Sequence, residues 1–155
     1  MGSGRIGGRA CRGVSTDQTD FYRPEPAVLG PLGQLRAAGW RIAVVTNGSP
    51  VQHRKVERAG LAALVDAICV SSEIGRAKPH PAIFLEAGRC APEIGPPDTV
   101  MVGDDPEADI AGAHALGFAT IWLDRGRAWP DLGFRPDHTV GSVGAAVDLI
   151  MAPDG

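Results

Sequence analysis

The chain predicts an α/β fold: a three-layer parallel sheet with helices on both faces. Three features point to it. Short apolar runs bounded by turn residues recur along the chain, namely "RIAVVT", "AICVSS", "TVMVGD" and "FATIWLD". Helix-length segments separate them, and strands that are apolar on both faces belong to a sheet covered on both sides. Polar residues collect where those runs end, the edge at which open parallel sheets bind their ligands.

Taken in order, Leu29, Leu32 and Leu35 share one face of a helix that stops at Gly39, and Arg41 to Thr46 follows as a buried strand. "NGSP" turns the chain, with Ser49 as cap and Pro50 as first residue of a helix to about Ala59. Ala67 to Ser72 is the next strand and Pro79 to Cys90 the next helix. A third strand, Thr99 to Asp104, leads into a helix from Pro106 to Leu116, and Phe118 to Asp124 is a fourth strand. His138 to Val140 and Ser142 to Ile150 close the chain as a short strand and a helix. Thr46 and Asn47, Ser71 and Ser72, Asp104 and Asp105, and Asp124 all stand at strand ends.

The first 23 residues are different. They are rich in Gly, Arg and small polar residues without apolar periodicity, and they read as a disordered or loosely attached tail before a core domain spanning residues 24–155. "GSGRIG" formally matches a dinucleotide-binding glycine pattern, but no strand precedes it, and the pattern works only in a strand-to-helix turn.

Composition narrows the partners. The 155 residues suit one compact domain, and 44% hydrophobic with 21% charged residues is an ordinary balance for one. A net charge of −3 supplies no basic face for phosphate backbones, so nucleic acid is not an expected partner. No apolar run approaches the roughly 20 residues of a membrane span, and no apolar core of a secretion signal is present. Cys11, Cys69 and Cys90 are dispersed and odd in number, which suits free thiols and a cytoplasmic location. His53, His80, His114 and His138 show no metal-ligand spacing. Only Lys55 and Lys78 among the 15 basic residues are lysine, and a lysine kept against so strong a preference for arginine suggests a role that guanidinium cannot fill.

Three stretches, "VVTNGS", "GRAKPHPAIF" and "MVGDDPEADIAGAHALG", in that order and at those intervals, resemble the second, third and fourth motifs of the haloacid dehalogenase-like (HAD) hydrolase superfamily. The similarity runs from about Tyr22 to Ile150 and is closest to the phosphatase branch with a helical cap. It implies a Rossmann-like core and magnesium-dependent hydrolysis of a phosphate monoester, with a small phosphorylated metabolite as partner. By the same resemblance Thr46 and Asn47, with nearby backbone N–H groups, hold phosphoryl oxygens, as a strand end facing a helix N-terminus can. Lys78 neutralises charge between the phosphate and the nucleophile. Asp104 is the direct ligand of Mg2+, a hard cation that takes a few carboxylates and keeps several waters. Asp109 or Asp105 is the second acid, orienting metal-bound water or the lysine. Asp105 also has a plainer use as a helix cap before Pro106.

The resemblance breaks at its first motif. The superfamily attacks phosphate with the first acid of an Asp-x-Asp that ends an apolar strand, while the second acid serves the leaving group. Asp17 and Asp20 in "GVSTDQTD" are spaced by three rather than two, and the upstream "GRACRG" is not expected to form a buried strand. Nucleophile strand and cap are therefore both expected to be missing, leaving the sheet incomplete at its centre. A central strand carries some four or five apolar side chains at about 1.5 to 3 kcal/mol each, so its loss rivals the total of about 5 to 15 kcal/mol that holds a domain together. Compensation is expected from direct pairing of the flanking strands, from the tail entering the gap poorly, or from a second copy of the chain pairing with an exposed edge.

Three functional expectations follow. The chain is a truncated form of an active phosphatase, inactive alone; or a degenerate relative that binds phosphate or magnesium or serves as a partner subunit; or a receiver-type phosphoacceptor. Order argues against the last, because a receiver's acids precede its Thr and Lys, whereas Thr46 and Lys78 precede Asp104.

Overall fold

The structure is a computed structural model that describes residues 11–14 and 26–153. Six strands, β1 (Cys11–Val14), β2 (Arg41–Thr46), β3 (Ala67–Val70), β4 (Val100–Gly103), β5 (Ala119–Leu123) and β6 (His138–Val140), form one sheet in the order β3-β2-β1-β4-β5-β6. Every pairing is parallel. Around it stand α1 (Pro26–Ala37), α2 (Val51–Arg58), α3 (Ser71–Ile74), α4 (Pro81–Gly88), α5 (Gly112–Ala115) and α6 (Val143–Met151).

Alternation along the strands explains the three layers. Ile42 and Val44 of β2, Val102 of β4 and Leu123 of β5 face Leu32 and Leu35 of α1 and Val147 of α6. Ala43, Val45 and Met101 point the other way, onto Ile83 and Phe84 of α4 and Ala113 of α5. Both faces are covered, so strands apolar throughout cost nothing in exposed surface.

The expectation of a sheet incomplete at its central strand is corrected. Cys11–Val14 pairs with β2 through Val14↔Val44 and with β4 through Val14↔Val102, inside the segment assigned to the tail. Cys11–Val14 filling the gap is the compensation the molecule uses. The physical reason is main-chain chemistry: two parallel neighbours offer open donors and acceptors on both sides, and a ladder is satisfied by backbone whatever the side chains are. The gap on which edge pairing with a second copy was argued is thus filled. "GSGRIG", Asp17 and Asp20 lie outside the described residues.

Smaller differences are local. The strand expected to run to Ser72 stops at Val70, because Ser71 opens α3. Ser49 was expected to cap α2 with its side chain; instead Pro50 is the cap residue and makes no side-chain bond. The helix expected from Pro79 begins at Pro81, where the His80 ring accepts from the Ala82 N–H. The single helix expected from Pro106 to Leu116 is a π-helical stretch, Pro106–Ala111, followed by α5. That wider turn has a consequence for the site.

Candidate active site

Sheet order reverses at the β1/β4 junction, the crevice where open parallel α/β sheets bind ligands. Since Val14 pairs with both Val44 and Val102, Thr46 and Asp104 stand at one level on either side of the C-terminal end of β1. Both are buried.

Lys78 reaches this edge from the loop before α4. Its main chain is clamped by the Asn47 amide, whose Oδ1 accepts from the Lys78 N–H at 2.8 Å and whose Nδ2 donates to the Lys78 carbonyl at 3.3 Å. The ammonium then meets Asp109, Nζ to Oδ1 at 2.6 Å, with the two side chains 6% and 1% exposed. The other Asp109 oxygen, Oδ2, accepts from the Asp105 N–H at 3.1 Å. The π turn permits this return: Asp109 and Ile110 both donate to the Asp105 carbonyl, at 3.0 and 3.2 Å, and the widened ring rotates the carboxylate inward. Gly103 leaves the room for it, because a Cβ there would sit 2.5 Å from Asp109 Oδ2.

The three candidate metal acids therefore have different surroundings. Asp105 Oδ1 accepts from the Glu107 and Ala108 N–H groups at 3.0 and 2.8 Å, which is the helix-cap role. Asp109 is paired with Lys78. Asp104 presents its carboxylate at the mouth, where Arg125 Nε lies 3.3 Å from Oδ2. Its carbonyl accepts from Trp122 Nε1 at 2.9 Å and from an Arg127 NH2 at 2.7 Å. Among the described residues no group of three His, Cys, Asp or Glu side chains is arranged to hold a metal. What Asp104 supplies is one hard oxygen donor on rigid backbone, and that suits Mg2+, which takes one or two carboxylates and completes its shell with water.

On the phosphate side, the Thr46 hydroxyl lies 3.4 Å from the Asn47 carbonyl. The Asn47 amide serves the Lys78 backbone rather than standing open to a ligand. The Gly48 N–H is taken by Ser71 Oγ at 2.9 Å, which also donates to the Gly48 carbonyl at 3.3 Å. Thus Ser71, singled out only as a strand-end residue, shapes the loop after β2. Arg125 and Arg127 were missed altogether. Their one signal was position, two cations just after the β5 strand end, in a run whose Asp124 drew the notice.

A doubly wound parallel sheet with a buried lysine–carboxylate pair and a fixed aspartate at its switch point defines a Rossmann-like α/β core. The chain belongs to the haloacid dehalogenase-like hydrolase family, whose pattern matches residues 20–117. It is 38% identical over 123 residues to a phosphoserine phosphatase of Thermus thermophilus, covering 79% of this chain and 49% of that protein. It is 37% identical over 138 residues to haloacetate dehalogenase H-2 of a Moraxella species, covering 87% and 60%. The crystal structure of a HAD phosphatase from Thermococcus onnurineus superposes with a TM-score of 0.74 at 25% identity, over 82% of this chain and 58% of that one. The chain thus spans half to three fifths of the length of these relatives.

Proposed function

We propose that this chain is the phosphoryl-binding core of a magnesium-dependent phosphate monoesterase acting on a small phosphorylated metabolite, and that alone it is inactive. The observation that carries the binding half is the Lys78–Asp109 pair, buried beside Asp104 at the C-terminal edge of the sheet. An ammonium in so desolvated a site offsets the charge of a phosphoryl group far better than in water. Asp109 and the Asn47 clamp set its position. Asp104 would hold Mg2+, which supplies Lewis-acid stabilisation of charge on phosphoryl oxygens. Thr46, level with Asp104 across the switch point, is the hydroxyl this reading assigns to a phosphoryl oxygen.

Inactivity is supported by the acids that follow β1 in sequence: Asp17 and Asp20 do not form the Asp-x-Asp that the family's covalent chemistry uses. The phosphoryl reading is favoured over dehalogenation because a carboxylate fitted to a divalent cation serves phosphoryl transfer directly. Purified chain is expected to bind inorganic phosphate in the presence of Mg2+, seen as broadening of the phosphorus resonance. It should release no p-nitrophenol from p-nitrophenyl phosphate above background and no halide from a haloacetate. Robust p-nitrophenol release that is lost in Asp104→Asn would overturn the inactivity, and halide release would overturn the choice of substrate.

A further inference from the structure

Asp104 meets two arginines that hold different parts of it. Arg127 is spent on carbonyl oxygens: one NH2 donates to Asp104 at 2.7 Å and to Leu123 at 3.4 Å, and Nε donates to Asp124 at 3.0 Å. Its guanidinium also lies 5.6 Å from the Trp122 ring centroid. Those bonds fix the backbone and leave the carboxylate to other partners. Arg125 takes the carboxylate, with Nε 3.3 Å from Oδ2 and its side chain 38% exposed against 9% for Asp104.

The backbone that delivers Arg125 is itself unusual. Arg125 has φ 52°, the left-handed region that residues other than Gly, Asn and Asp rarely visit. The turn that imposes it is tied at both ends: Asp124 Oδ1 accepts from the Gly126 N–H at 3.1 Å, and the Asp124 carbonyl accepts from the Arg127 N–H at 2.9 Å. A guanidinium is thereby aimed at the oxygen a metal would need. Its partly exposed side chain borders solvent.

We infer that Arg125 is the counter-cation of Asp104 and gates cation entry: it neutralises the carboxylate when no metal is bound, and it must swing into solvent before a divalent cation takes Oδ2. This rests on the reading of Asp104 as a metal ligand. Arg125 is a positioning residue that sets metal affinity. A partly exposed pair of this kind is weak, so its removal should tighten metal binding about two- to five-fold rather than by orders of magnitude.

The test is Mn2+ binding to the full chain, followed by loss of the free-ion electron paramagnetic resonance signal, with no dependence on turnover. Arg125→Gly suits the left-handed backbone, removes the guanidinium and should fold at least as well as the native chain, by circular dichroism. It is expected to bind Mn2+ two to five times more tightly, Arg125→Lys to stay near the native value, and Asp104→Asn to lose the site in either background. Loss in Asp104→Asn with no change in Arg125→Gly would overturn the gate while leaving the metal reading intact. Binding that Asp104→Asn leaves unchanged, or no binding by any variant, would overturn the metal reading and the gate with it.

Discussion

Lys78 and Asp109 come from segments 31 positions apart in the chain and meet at 2.6 Å beneath the C-terminal edge of the sheet. Each charge has been taken out of water, and each is tolerable only because the other is there. Breaking the pair from one side should therefore cost more than removing it whole. Lys78→Met or Asp109→Leu is expected to destabilise the fold by about 3 to 5 kcal/mol, and the double variant by clearly less than either single one. Urea unfolding of the four proteins measures this, and additive losses would show that the two charges are independently solvated.

The central strand can be tested through its backbone. Gly13 pairs with Ala43 on one side and Met101 on the other, so a proline there removes a donor where no edge is available to hide the loss. Gly13→Pro should cost about 3 kcal/mol or more. An unfolding midpoint equal to that of the native chain would mean that β2 and β4 do not depend on this strand.

Space beside Asp109 is similarly exacting. A methyl at Gly103 would lie 2.5 Å from Asp109 Oδ2 and 2.6 Å from its Cβ, both part of a buried side chain already held by Lys78 and by the Asp105 N–H. Gly103→Ala is expected to lower stability by about 1 to 3 kcal/mol, as overpacking does. It should also weaken phosphate binding, because the carboxylate that steers the ammonium is pushed aside. Unchanged phosphorus line broadening alongside a lowered thermal midpoint would separate packing from positioning.

The Cys69 thiol answers to pH. Burial, then the neighbouring Glu86 carboxylate, pushes its pKa up from 9.0 to about 11. A raised acid pKa means that the folded chain holds its proton more tightly than the unfolded one. Stability is therefore complete below about pH 9 and falls as pH climbs toward about 11. Alkylation by iodoacetamide at pH 8 should spare Cys69 until denaturant is added, with half-buried Cys90 reacting sooner. Early modification of Cys69, read by peptide mass, would refute the burial argument.

How legible the molecule was in its sequence depended on the kind of force involved. Strands β2 to β5 follow from apolar runs, because a buried strand must be apolar on both faces and such runs are rare elsewhere. Lys78, Asp104 and Asp109 could be picked out because motif order and spacing survive in the primary structure. The cap role of Asp105 was readable too, from the Pro106 that follows it. β1 was not legible. "CRGV" has almost no apolar signal, and its place between β2 and β4 is decided by unpaired main-chain groups that two neighbours present only once the sheet has formed.

By itself the sequence determined the doubly wound architecture, the family and the acids and lysine of the candidate site, since each rests on local pattern. Tertiary structure alone decided what surrounds Asp109 and Asp104. Asp105, Asp109 and Asp104 are close together in the chain, yet a cap, a buried ion pair and a mouth shared with Arg125 separate their duties. The reason is that a carboxylate's surroundings are set by which donors and charges reach it, and for Asp109 and Asp104 those arrive from the loop before α4 and from the turn after β5, far away in sequence.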